Sequence, residues 1–118
     1  MTEMQQVEVG PLADIDDPGC REFMIGSGDW PFRGFVVRRG DEVFAYQNVC
    51  KHVGHPLNWA PDDFLDKNNV AIQCASHGAL YEIDTGLCVA GPCLGQSLRA
   101  VDVTVRKGIV FVCGPDRH

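Results

Sequence analysis

Cys50 and His52, then Cys74 and His77, are the residues of this chain best suited to chemistry. They read Cys-Lys-His and, after a gap of 21 residues, Cys-Ala-Ser-His. Thiolate sulfur and neutral imidazole nitrogen are both ligands for borderline-soft metals. Two centres are open to such a donor set. A single zinc ion takes four donors in a tetrahedron. A [2Fe–2S] cluster of the mixed kind takes two cysteines on one iron and two histidines on the other. Each short motif here holds one donor of each kind and so supplies one ligand to each iron. Zinc sites commonly place two or more residues between paired ligands, whereas a single residue separates Cys50 from His52. The spacing favours the diiron centre, and with it one-electron chemistry. His55 lies on the far side of Gly54 and is expected to point to solvent rather than replace His52. His118 is terminal and has no predicted role.

Histidine in place of two thiolates has a chemical consequence. Neutral ligands leave the cluster less negative, so it accepts an electron more readily. The potential rises from about −400 mV for all-cysteine plant-type clusters to roughly −150 to +300 mV. The imidazoles titrate, so the potential is expected to depend on pH. Gly54 and Gly78 follow the two histidines. Glycine permits tight bends and brings backbone N–H groups close to cluster sulfur.

The elements that must position these residues read as short strands joined by turns. Arg21 to Ile25 places Phe23 and Ile25 on one face. Gly34 to Arg38 and Glu42 to Gln47 flank Arg39-Gly40-Asp41, a hairpin signal. Val70 to Gln73 is a short apolar strand. Leu80 to Ile83 follows the second motif, and Asp84-Thr85-Gly86 turns the chain into Leu87 to Val89. Val101, Val103 and Val105 alternate with Asp102 and Thr104, the period of a half-buried strand. Arg106-Lys107-Gly108 then leads back into Ile109 to Cys113. Helix signals are confined to Trp59 to Asn68, where Pro61 suits a first turn. Thirteen glycines and seven prolines fit many turns. The fold class is all-β, a small antiparallel barrel or sandwich. Both ligand motifs fall on loops rooted in strands, as metal sites require.

Bulk properties narrow the function. With 118 residues, 45% of them hydrophobic, the chain suits one domain with a modest core. No run approaches the ~20 apolar residues of a membrane span, and Met1 to Val9 is polar and acidic, unlike a secretory signal. The expected location is the cytoplasm, without membrane attachment. A net charge of −6 argues against nucleic acid as a partner; it serves solubility, or docking onto a basic protein surface. Six cysteines in a reducing compartment are not read as a disulfide framework. Beyond the two ligands, Cys20, Cys88, Cys93 and Cys113 remain. Cys113 is expected to be a small buried apolar residue, and Cys88 with Cys93 forms a conceivable pair. Trp30, Phe32 and Phe35 are expected to plug the end of a barrel rather than form a docking surface. No nucleophilic triad and no phosphate-binding glycine loop is present.

The chain resembles the Rieske family, whose pattern is C-x-H-x-G-x-x-L followed later by C-x-x-H-G. Here that is Cys50, His52, Gly54 and Leu57, then Cys74, His77 and Gly78. Leu80 to Gly86 is similar to the family's aromatic strand and Thr-Gly turn, and Gly91-Pro92 falls where the family has a proline loop over the cluster. The likeness spans about Val43 to Leu98. It implies a Rieske fold in which a cluster-binding subdomain, about 48–92, is inserted into a base formed by 1–47 and 93–118. It also implies one [2Fe–2S] cluster held by Cys50, His52, Cys74 and His77.

Members in respiratory and photosynthetic complexes add a loop disulfide, at positions that correspond here to His55 and Ser76. They also carry a serine after His-Gly, where this chain has Ala79. Both differences point to the lower-potential ferredoxins that feed oxygenases. Tyr81 matches a tyrosine that hydrogen-bonds a ligand cysteine in high-potential members, or is simply a strand aromatic. The gap between motifs is longer than in typical ferredoxins; the excess, about Asn58 to Asn69, reads as neutral decoration or a partner-facing loop. Ala75 stands where oxygenase-coupled ferredoxins often have proline. The implied function is a monomeric electron carrier, not itself an enzyme. It would carry single electrons from a flavin-dependent reductase to a terminal, ring-hydroxylating oxygenase. The alternative is a small Rieske subunit bound permanently in a multi-subunit oxidoreductase such as a nitrite reductase.

Overall fold

In a computed structural model, most strands fall where alternation and turn residues place them. They are β1 (Met4–Pro11), β2 (Gly19–Ile25), β3 (Phe32–Arg39), β4 (Glu42–Gln47), β5 (Ile72–Gln73), β6 (Leu80–Tyr81), β7 (Cys88–Ala90), β8 (Ala100–Arg106) and β9 (Ile109–Pro115). One turn of 3-10 helix, Leu12–Asp14, follows β1. The structure describes residues 4–25, 32–49, 57, 64–66, 70–74, 78–91 and 94–115. The described strands form a six-stranded sheet, β1-β9-β8-β4-β3-β2, and a three-stranded sheet, β5-β6-β7. Every pairing is antiparallel.

Two hairpins set the larger sheet. Arg39 pairs with Glu42, leaving Gly40-Asp41 as a two-residue turn with Gly40 at φ 66°. Arg106 pairs with Ile109 across Lys107 and Gly108, at φ 53° and 77°. Positive φ at both central residues is the type I′ pattern, whose twist matches the flanking strands. On β2, Phe23 and Ile25 are buried and Met24 between them is exposed, as alternation predicts. The inward face of β8 is less complete: Val101 is buried and Val103 half-buried, but Val105, beside the hairpin turn, is exposed.

β1 is an element the sequence reading did not anticipate. It pairs along β9, with a register shift between Glu8 and Gly10. Val7 and Val9 pack against the core.

β3 is buried on both faces, and this places the smaller sheet. Val36 joins a core with Phe23, Ile25, Phe32, Val110 and Val112 inside the larger sheet. Phe35 and Val37, on the opposite face, join a second core with Tyr46, Ile72, Cys74 and Tyr81. Phe32 and Phe35 are therefore packing residues rather than a docking surface, but they lie in two different cores and not in one barrel-end plug; Trp30 lies outside the described residues.

The long gap between motifs contributes to the second core. Phe64 is 1% exposed and stacks on Phe35, ring centroids 4.1 Å apart and 7° from parallel. Leu65 bridges Ile72, Gln73 N–H donates to the Phe64 carbonyl at 2.8 Å, and Asp66 N–H to that of Ala71 at 2.9 Å. Phe64 to Asp66 are thus bridged to the edge of β5, not helical, and Phe64 is an anchor rather than decoration or a partner-facing tip. The rest of Trp59 to Asn68 is not described, apart from these three residues. β5 is also shorter than Val70 to Gln73. The Asp66 carboxylate accepts the N–H groups of Val70 and Ala71, at 2.9 and 3.2 Å. A bend replaces the ladder there and leaves Val70 exposed.

Candidate metal centre

Cys74 is the proposed ligand the structure describes, and it is fully buried. It follows directly on β5. Its N–H donates to the Ala79 carbonyl at 2.8 Å, and Gly78 N–H donates to the Cys74 carbonyl at 2.9 Å. Gly78 sits at φ 72°, a left-handed conformation that glycine adopts without cost from a Cβ. The second motif therefore leaves and re-enters the sheet at two pinned points. His77, within 75–77, lies outside the described residues, as do Cys50, His52, Gly54 and His55 of the first motif.

The ends of the first motif are described. Asn48, just after β4, donates its backbone N–H to the Arg33 carbonyl at 2.9 Å. Its side-chain Oδ1 accepts the N–H of Leu57 at 2.7 Å. Leu57 is fully buried in the same core as Cys74.

A third loop closes against the second motif. Gly91, at φ 100°, runs so near Ala79 that a Cβ there would lie 2.8 Å from the Ala79 Cα. A larger residue at 91 would push the loop off. Pro92, and Cys93 with its conceivable pairing to Cys88, lie outside the described residues. The Cys88 thiol is buried and donates to the Ala90 carbonyl at 3.2 Å. Cys113 is half-buried, not buried as expected. It pairs with Gln6 and Asp102 near the strand ends, where cover is incomplete. Tyr81, opposite Ile72 on β6, is fully buried in the core that holds Cys74.

The turn beyond β6 is fastened to the larger sheet by a residue that sequence reasoning missed. The Tyr46 hydroxyl donates to the Ile83 carbonyl at 2.6 Å. Gly86, at φ 75°, lies against the same ring, where a Cβ would come 2.7 Å from Cε1. Burial pushes the Tyr46 phenol up to about 12; Asp84 adds to the shift and Arg39 opposes it. The phenol thus stays neutral and keeps its donor hydrogen. Within the turn, the Thr85 hydroxyl donates to Glu82 at 2.8 Å and accepts the Leu87 N–H at 3.2 Å. Asn48 was missed too; its only signal is an amide residue just past a strand end, two positions before Cys50.

The donors and their setting fit an enclosed iron–sulfur group. A thiol buried among apolar side chains and held on a pinned turn is shielded from water and oxidants. Among the described residues, no three histidine, cysteine or carboxylate side chains gather into an alternative metal site. Among them, too, no helix is long and apolar enough to cross a membrane.

Comparison with known proteins agrees with this architecture. A family model for the Rieske [2Fe-2S] domain matches residues 6–107. The chain is 32% identical over 79 residues to ferredoxin CarAc of Metapseudomonas resinovorans, covering 67% of this chain and 68% of that protein. It is 40% identical over 78 residues to the menaquinol:cytochrome c reductase iron-sulfur subunit of Bacillus subtilis, covering 66% of this chain but only 44% of that subunit. Among solved structures, the ferredoxin of carbazole 1,9a-dioxygenase from Nocardioides aromaticivorans IC177 superposes with a TM-score of 0.71 at 26% identity, covering 92% of this chain and 96% of that one. The chain belongs to the Rieske [2Fe-2S] domain family. Its fold is the Rieske fold, and its cofactor is a Rieske-type [2Fe–2S] cluster.

Proposed function

We propose that this protein is a ferredoxin-type electron carrier, and that Cys50, His52, Cys74 and His77 hold its cluster. Cys50 and Cys74 would bind one iron, His52 and His77 the other. The bound cluster supplies a one-electron couple. The chain's own part is to hold and shelter it: Cys74 sits in an apolar core, its turn is pinned at Gly78 and Ala79, and Gly91 brings the third loop against that turn. Residues 48–92 would act as the cluster-binding unit, inserted in a base of 1–47 and 93–118. Electrons would arrive from a flavin-dependent reductase and leave to a terminal oxygenase, with the carrier a diffusing cytoplasmic monomer that turns over no substrate itself.

The observation that carries this reading is the near end-to-end match with a dioxygenase ferredoxin, 92% of this chain against 96% of that one. A second reading is favoured by the 40% identity to a quinol reductase subunit: a Rieske subunit bound permanently in a larger oxidoreductase. Residue chemistry speaks for the first. Ala79 is buried and carries no hydroxyl for a cluster sulfur, and His55 and Ser76 cannot form a loop disulfide. Voltammetry of the purified protein separates the two. The carrier should show a reversible midpoint toward −150 mV and run as a monomer, whereas a midpoint near +300 mV would move the assignment to the second reading.

A further inference from the structure

Asn48 is the buried polar residue among those described, at 5% exposure. Both of its ends are used. The backbone N–H is fixed to Arg33, next to the start of β3, and the side-chain oxygen holds the N–H of Leu57. The stretch between them, residues 49–56, contains Cys50 and His52. One side chain therefore ties the entrance of the first ligand segment to its exit, and Leu57 seats that exit in the core containing Cys74. Removing the acceptor would leave the buried Leu57 N–H unpaired and untie the exit of the segment, while the entrance keeps its backbone bond to Arg33. A neutral amide achieves this without burying a charge.

We propose that Asn48 is a positioning residue for the metal centre: its clasp on Leu57 sets where the first ligand pair stands relative to Cys74. The proposal rests on the ligand assignment above, and its test separates the two. Iron, acid-labile sulfide, iron release to a chelator and the EPR spectrum of the reduced protein are measured on wild type, Asn48→Ala, Asn48→Asp and Val110→Ala. Val110 lies in the other core and reports plain destabilisation. Asn48→Ala should release iron about tenfold faster, the loss expected for one buried acceptor, and should shift the EPR line shape. Asn48→Asp, which retains an acceptor oxygen of the same reach but buries a carboxylate, should release iron more slowly than Asn48→Ala. Val110→Ala should lower the unfolding midpoint and leave EPR and iron release unchanged. If Asn48→Ala does not fold, Asn48→Gln, which displaces the amide by one methylene, replaces it with the same expectation. A wild type without iron and sulfide overturns the ligand assignment and the clasp together. A wild type with its cluster, and an Asn48→Ala whose spectrum and iron release match it or merely match Val110→Ala, overturns the clasp alone.

Discussion

The two sheets are held by different means. Strands of the larger sheet run six to eight residues and are secured mainly by long antiparallel ladders and two tight hairpins. Strands of the smaller sheet run two or three residues, too short to be stable alone. What fixes them is borrowed: Phe64 stacked on Phe35, Tyr46 bonded to Ile83, Asn48 bonded to Leu57. The contrast has a functional sense. Long strands make a rigid base, while the short strands leave most of the described residues around them in turns, bends and irregular stretches, which suits the surroundings of a metal centre. Precision then depends on a few clamps from base to loops.

Breaking the largest clamp should separate the regions. Phe64→Ala removes a fully buried ring and is expected to cost about 3–5 kcal/mol. Hydrogen exchange should show Gln73, Cys74 and Tyr81 amides opening far more than those of β8 and β9. Equal acceleration in both sheets would mean that the molecule opens as one cooperative unit.

A smaller effect sharpens the same contrast through pH. The Tyr46 phenol titrates near 10.0 in the unfolded chain and at about 12 in the folded one. Its contribution is complete below pH 10. Between 10 and 12 the unfolded chain has lost the proton that the folded protein keeps, so stability falls by about 2–3 kcal/mol in all. Tyr46→Phe should be about 1 kcal/mol less stable than wild type at neutral pH, from the lost hydrogen bond. That gap should close and reverse as pH rises through this window, as followed by urea unfolding. A gap that stays constant would contradict a buried neutral donor at this position.

The same division governed what could be read from the chain. The hairpins around Gly40 and Gly108 were legible because turn chemistry is local. β8 and β9 were legible because alternation over five residues is a signal. β1 was not: Val7 and Val9, which pack against the core, stand among Gln and Glu. β5 was misjudged at its start because the Asp66 carboxylate captures two amides that the apolar run assigns to a strand. The four candidate ligands stand out by residue type and spacing, which coordination chemistry constrains; of them the structure describes Cys74, and it is buried. Asn48 and Tyr46 were not, because their work depends on Leu57 and Ile83, nine and 37 residues away.

Two sulfur and two nitrogen donors, carried on two loops, are proposed to share one diiron cluster. The direct measurement is electron–nuclear double resonance on reduced protein labelled with ¹⁵N in histidine only, together with iron and acid-labile sulfide analysis. Strong couplings to two histidine nitrogens, both lost when His52 and His77 are replaced by cysteine, are the predicted result. One zinc per chain with no labile sulfide, or an iron cluster without histidine coupling, would contradict it.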